Sequence, residues 1–140
     1  MQRLYQINVP GDNSCFFHAV GLHVNMHAFD LRKLCSQLMF QYQNMDFNGM
    51  TLEDWIQASE NCSAIEYSKK LLFKHFWGGA LEMMVLAHYF QRPIVVYQEQ
   101  KITKVANKIT IFREDLQDKE PIYLLYINNN HYACLKKNKT

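Results

Sequence analysis

The sequence is short of the residues that divide or cross-link a chain. Among 140 residues there are only three prolines and five glycines. No Pro/Gly/Ser-rich stretch reads as a linker, so residues 1–140 are expected to form a single domain. The four cysteines, Cys15, Cys35, Cys62 and Cys134, include no CxxC pair. That excludes the spacings of a zinc site and of a disulfide framework, and it points to a reducing, cytoplasmic setting with no cofactor or metal. The opening Met1–Gln6 lacks the continuous apolar segment of a signal peptide, and the most apolar later run, Met83 to Ala87, is far too short to cross a bilayer. No membrane association is expected. An excess of one charge is missing too: 15 Lys and Arg against 13 Asp and Glu, interspersed, leave a formal net charge of +2, which argues against nucleic acid. What the chain does have is 49% hydrophobic and 14% aromatic residues, enough for a globular core in which Cys35, Cys62 and Cys134 act as small buried hydrophobes.

The most informative segment is Gly11-Asp12-Asn13-Ser14-Cys15-Phe16-Phe17-His18-Ala19-Val20, turn and N-cap residues running straight into an apolar helical pattern. Cys15 sits at the junction. A thiol in the first turn of a helix feels the partial positive charge of unsatisfied backbone N–H groups, which favours the reactive thiolate, and the same groups suit an oxyanion. A base is needed as well. Far along the chain, Ile122–Ile127 reads as a buried strand, Asn128-Asn129-Asn130 as a turn, and His131 onward as a returning strand. Cysteine and histidine so far apart form a candidate nucleophile and base, joined by the fold rather than by spacing.

Between them the periodicity predicts a short strand over 3–9 and helices over 15–25, 29–44, 52–59, 63–74 and 80–91, with Thr51 and Asn61 or Ser63 as caps. Strands are predicted at 94–98, 101–105, 109–112, 122–127 and 131–135. Helices first and sheet last make an α+β domain, N-terminal helices packed on a mostly antiparallel C-terminal sheet. His23 and His27 share one helical face at i and i+4, but Val24 stands where a zinc protease needs its glutamate, so no metal is assigned to them. His18 is expected to pack or hydrogen-bond beneath the site, and Trp77 to anchor the core or shape the site's floor.

These motifs resemble those of the ovarian-tumour (OTU) cysteine proteases. Gly11–Ala19 is similar to the family's nucleophile motif, Asn130-His131-Tyr132 to its histidine motif, and Trp77-Gly78-Gly79-Ala80-Leu81-Glu82 to the start of its central helix, with Ile94–Tyr97 as the strand that follows. The resemblance implies a papain-like OTU fold and a monomeric deubiquitinase, with ubiquitin, polyubiquitin or a ubiquitin-like modifier as partner. It implies Cys15 as nucleophile, His131 as general base, Asp12 as a brace of the turn, and backbone N–H groups of Asp12, Asn13 and Cys15 as oxyanion hole. Acidic side chains should line the approach, with Asp46, Glu53, Asp54 and Glu82 as candidates.

Two positions depart from the family pattern. Asn13 replaces a glycine, which asparagine can do because it tolerates positive φ. Ala133 stands where many members carry an Asp or Asn that orients the histidine. Asn8, an asparagine of the 128–130 turn, or a bare Cys–His dyad are the remaining choices, with Asn8 ranked first and Asn130 expected on the opposite strand face from His131. Two alternatives to a deubiquitinase stay open: a ubiquitin-binding module with weak or lost catalysis, and a viral-type polyprotein-processing protease, for which the setting is a host cytosol.

Overall fold

The computed structural model describes residues 3–99 and 106–137. The first strand, β1, spans Leu4–Ile7, and a turn delivers the chain into helix α1, Cys15–Val24. Asn25 ends α1 in the left-handed conformation, φ 56°, its N–H returning to the Gly21 carbonyl. Helix α2 is Ala28–Gln41. Asn48 and Gly49, both at positive φ, then turn a small hairpin of β2 (Asp46–Phe47) and β3 (Met50–Thr51).

Helix α3, Leu52–Glu60, starts on Thr51, whose hydroxyl accepts the Asp54 N–H, and ends on left-handed Asn61. Helix α4, Ala64–Lys70, starts on Ser63 in the same way, so Thr51 and Ser63 are N-caps and Asn61 is a C-cap. The predicted 63–74 helix therefore stops four residues early. The reason is tertiary: the carbonyls of Leu71 and Lys74 turn away to meet a buried arginine, Arg32. Helix α5 is Ala80–Phe90.

Four strands follow: β4 (Ile94–Glu99), β5 (Ala106–Phe112), β6 (Ile122–Ile127) and β7 (His131–Lys137). The strand predicted at 101–105 lies outside the described residues. The sheet order is β1-β7-β6-β4-β5, antiparallel throughout except for β4 beside β6. The fold is α+β, as the order of elements implies.

One face of the sheet carries the helices. Phe16, Phe17, Ala19 and Val20 of α1 join Leu31, Cys35 and Leu38 of α2 and Val85 and Leu86 of α5 in a core closed by Val96, Leu124 and Cys134 of the sheet. The other face holds a small cluster, Leu125, Ala133 and Leu135, edged by Leu4, Tyr97 and Tyr123. α1 lies against β7, and the Phe16 ring meets the Tyr132 ring edge-on with centroids 5.5 Å apart. This contact brings the predicted nucleophile helix and histidine strand together.

Candidate active site

Cys15 is the first residue of α1 and is almost completely buried. No acidic residue occupies the first turn to oppose the positive helix end. Its Sγ lies 3.4 Å from the backbone N–H of Tyr132, 117 residues away, and accepts that hydrogen bond. His131, the neighbour of Tyr132, opens β7 opposite Ile127. Left-handed Asn128 and Asn129 make the tight turn before it. Asn129 is fixed there: its carbonyl accepts the Tyr126 hydroxyl at 2.7 Å and its side chain accepts Gln98 Nε2 at 3.1 Å.

The loop ahead of Cys15 is braced at Asp12, Asn13 and Ser14. Asp12 Oδ1 accepts the Ser14 N–H at 2.9 Å, an Asx turn, and Asp12 Oδ2 pairs with His18 Nε2 at 3.2 Å. The Asp12 carbonyl also takes the Cys15 N–H, at 3.2 Å. Asn13 Oδ1 accepts the indole N–H of Trp77 at 2.6 Å. Asn13 does not adopt positive φ, so its carboxamide, not its backbone freedom, is what the position uses. Gly78 is needed for this closure, because a Cβ there would stand 2.6 Å from Cδ2 of Phe16.

Behind the loop lies Arg32, 1% exposed, which sequence reasoning missed. Its Nη2 donates to the Asn13 carbonyl, the Ser14 hydroxyl and the Lys74 carbonyl at 3.2, 2.9 and 3.0 Å, and Nη1 donates to the Leu71 carbonyl at 3.0 Å. Its guanidinium also covers the Phe17 ring, 4.5 Å from the centroid. Burial lowers the arginine's hold on its proton, from a range so high that it remains a cation. A signal was present: Arg32 falls on the apolar stripe of α2 formed by Ala28, Leu31, Cys35 and Met39.

In front of the loop a cleft of about 420 Å³ is lined by Asn8, Val9, Asp12, Asn13, Trp77 and His131, with Gly11 and Asn130 completing it. The His131 ring makes no hydrogen bond among the described residues, and Asn8 Oδ1 accepts Gln6 Nε2 at 2.7 Å. Asn130 and His131 both line the cleft. Strand alternation does not reach Asn130, which still belongs to the turn.

A family model for OTU-like cysteine proteases matches residues 10–132. The chain belongs to that family. An ovarian tumor domain-containing deubiquitinating enzyme 2 of Arabidopsis thaliana is 27% identical over 130 residues, covering 91% of this chain and 55% of the plant protein. The OTU domain-containing protein 6A of mouse is 34% identical over 137 residues, covering 90% of this chain and 41% of its own length. This chain thus spans about half or less of these curated relatives. Among solved structures, an ovarian tumor domain in complex with ubiquitin superposes with a TM-score of 0.72 at 26% identity, over 98% of this chain and 72% of that one.

In this OTU-like domain none of the four acidic candidates lines the cleft, whose carboxylate is Asp12. Asp46 lies in the β2–β3 hairpin with Oδ2 on the Gly49 N–H, Glu53 caps α4 through the Ala64 N–H at 2.7 Å, and Asp54 lies in the first turn of α3. Glu82 is 1% exposed; it caps α5 through the Gly79 N–H at 2.7 Å and accepts the Tyr67 hydroxyl at 2.5 Å. Burial pushes the Glu82 carboxyl up to about 7. Capping demands, which a sequence pattern shows only locally, have claimed Glu53 and Glu82. His23 and His27 are claimed likewise: His23 Nε2 bonds the Tyr123 carbonyl at 2.9 Å, and His27 Nδ1 accepts the Phe29 N–H.

Proposed function

We propose that this chain is a deubiquitinase, a thiol-dependent hydrolase of isopeptide or peptide bonds at the C-terminus of ubiquitin or a ubiquitin-like modifier. The observation that carries the reading is the Cys15 sulfur on a helix N-terminus, hydrogen-bonded to the residue that follows His131. The modifier's C-terminal tail runs through the cleft between Trp77 and His131. His131 takes the Cys15 proton, the thiolate attacks the carbonyl carbon, and negative charge collects on the carbonyl oxygen. Backbone N–H groups of Asp12, Asn13 and Cys15 face that charge. The Cys15 N–H first gives up its 3.2 Å bond to the Asp12 carbonyl. His131 then protonates the leaving amine, and water, deprotonated by His131, releases the acid and restores the thiol.

Asn8 is the orienter of His131 in this scheme. The β1–β7 pairing ends at Ile7 opposite Cys134, and Asn8, the next residue, lines the cleft that His131 also lines. Four unpaired, buried thiols support a reducing, cytosolic setting for a single monomeric domain.

The test is ubiquitin carrying an electrophile at its C-terminus. A covalent adduct that disappears in Cys15→Ala is the expected result. Binding without an adduct would instead identify a non-enzymatic ubiquitin module, the reading that Ala133 favours. Neither binding nor adduct would end the ubiquitin assignment.

A further inference from the structure

Ser14 stands at the N-cap of α1, where a serine hydroxyl ordinarily accepts an N–H from the first helical turn. Here it makes no such bond. Its Oγ instead accepts Arg32 Nη2 at 2.9 Å and donates to the Lys74 carbonyl at 3.4 Å. The same Nη2 takes the Asn13 carbonyl at 3.2 Å. Both residues immediately before Cys15 are thus turned toward a buried guanidinium that is not among the residues lining the cleft.

The peptide joining Asn13 to Ser14 is gripped at both ends, its C=O by Arg32 and its N–H by Asp12 Oδ1 at 2.9 Å. A peptide unit is planar, so two such bonds fix its rotation. Asn13 is held once more from the cleft side, by the Trp77 indole at 2.6 Å. Arg32 also bonds the carbonyls of Leu71 and Lys74, in the segment that runs from α4 to Trp77. One side chain therefore ties the loop to the segment that carries the loop's front contact. Glu82 and Asp12 offset the charge of Arg32 from a distance, and its four hydrogen bonds end on neutral oxygens. What it supplies is direction.

We propose that Arg32 is a positioning residue of the reaction: it keeps the Asn13–Ser14 peptide turned so that backbone N–H groups, and not a carbonyl oxygen, face the bond that Cys15 attacks. This rests on the mechanism above, in which the loop's N–H groups receive the oxyanion. Without the guanidinium the Asn13 carbonyl faces the interior with no donor, and rotating the peptide toward the cleft returns it to water. That rotation takes the Ser14 N–H off Asp12 and sets a partial negative charge where a full one must form. A lysine at position 32 offers one nitrogen and no planar fork, so it restores only part of the hold.

Two reactions of Cys15 separate this role from a general need for Arg32 in the fold. Iodoacetamide alkylates the thiolate by displacement of iodide, with no oxyanion. p-Nitrophenyl acetate is attacked at its carbonyl carbon and passes through a tetrahedral oxyanion before p-nitrophenolate leaves with the bonding pair. With the Cys15→Ala background subtracted, Arg32→Lys should slow acylation about 10- to 100-fold and leave alkylation within about twofold. Ser14→Ala, which removes one of the four acceptors, should slow acylation about two- to fivefold with the same selectivity. Lys33→Gln, at an exposed position on the same helix, should change neither rate. With a ubiquitin-derived substrate the loss in Arg32→Lys should fall on kcat and spare KM. Circular dichroism and urea midpoints confine the comparison to folded protein, and Ser14→Ala carries it if Arg32→Lys does not fold. Unchanged acylation in the folded variants, or an equal loss of acylation and alkylation, overturns the proposal. So does a parent whose Cys15 shows no greater preference for the ester over iodoacetamide than free cysteine does. A parent with that preference but no adduct with the ubiquitin electrophile ends the ubiquitin reading and leaves the role of Arg32 standing.

Discussion

α1 and β7 carry two cysteine–histidine pairs, one at each end of their contact, with the partners exchanged. At the helix start the thiol is on α1 and the histidine on β7, as Cys15 and His131. In the last turn the histidine is on α1 and the thiol on β7, with His23 Nε2 3.4 Å from the Cys134 sulfur. The second pair contains the same chemical groups and is inert for three physical reasons. It lies at the negative end of the helix, where a thiolate is disfavoured. Burial lowers His23 from 6.5 to about 4 and raises Cys134. A fall of that size is about 3 kcal/mol against the imidazolium, more than the ~1 kcal/mol that a helix C-terminus returns. Finally, Nε2 donates its proton to the Tyr123 carbonyl at 2.9 Å, so the atom nearest Cys134 has no lone pair left for the thiol. Helix polarity, desolvation of the imidazole and its tautomer disarm the second pair.

The largest effect that tests this contrast is removal of the nucleophile. Cys15→Ala should lower turnover of a ubiquitin-derived substrate by at least about 10⁴-fold, whereas Cys134→Ala should leave it within about twofold. Loss of activity in Cys134→Ala, with the fold intact by circular dichroism, would mean that the wrong pair has been assigned. His131→Ala should also abolish turnover and slow alkylation of Cys15 by iodoacetamide; His23→Gln should leave that rate unchanged. An unaffected alkylation rate in His131→Ala would separate His131 from the thiol.

A smaller loss is expected from the orienter. Asn8→Ala should reduce turnover about 10- to 100-fold, the size of a weakened acid–base contribution, and Ala133→Asn in that background should recover part of it. Full activity in Asn8→Ala leaves Asn130, which shares the cleft, or a dyad.

The smallest effect is on stability. Folded His23 keeps its proton only below about pH 4, against 6.5 when exposed, so its contribution is present above 6.5 and lost as pH falls toward 4. Buried Glu82 runs the other way, its contribution present below 4.5 and lost as pH rises to about 7. Between pH 4.5 and 6.5 the two slopes oppose each other. Relative to the parent, unfolding free energies from urea titration of Glu82→Gln should rise with pH across that window, and those of His23→Gln should fall, each by about 3 kcal/mol at most. Parallel curves for all three proteins would show that neither group is held as its burial implies.

Much of the site was legible because its signals are local. Turn residues before an apolar helical pattern place Cys15, and three asparagines between strand patterns place His131. The Trp77-Gly78-Gly79 motif belongs to the site's frame, but Trp77, 49% exposed, is not the core anchor its type suggests, and its bond to Asn13 needs the fold to appear. What escaped depends on distant partners. Arg32 serves carbonyls 19, 39 and 42 residues away, and in the sequence it is one more charge on a helix. Glu82 looks like an exposed acid until Tyr67 and the α5 N-terminus enclose it.

The place of β7 in the sheet also sets a timetable. It lies between β1 and β6, so β1 has no neighbour in the sheet until a strand made much later slides in beside it. At synthesis rates of ~5–20 residues per second, the 117 positions from Cys15 to Tyr132 amount to roughly 6–23 s. During that interval a nascent chain carries the thiol without its histidine. Under the proposed function, nucleophile and base meet only with the insertion of that single strand.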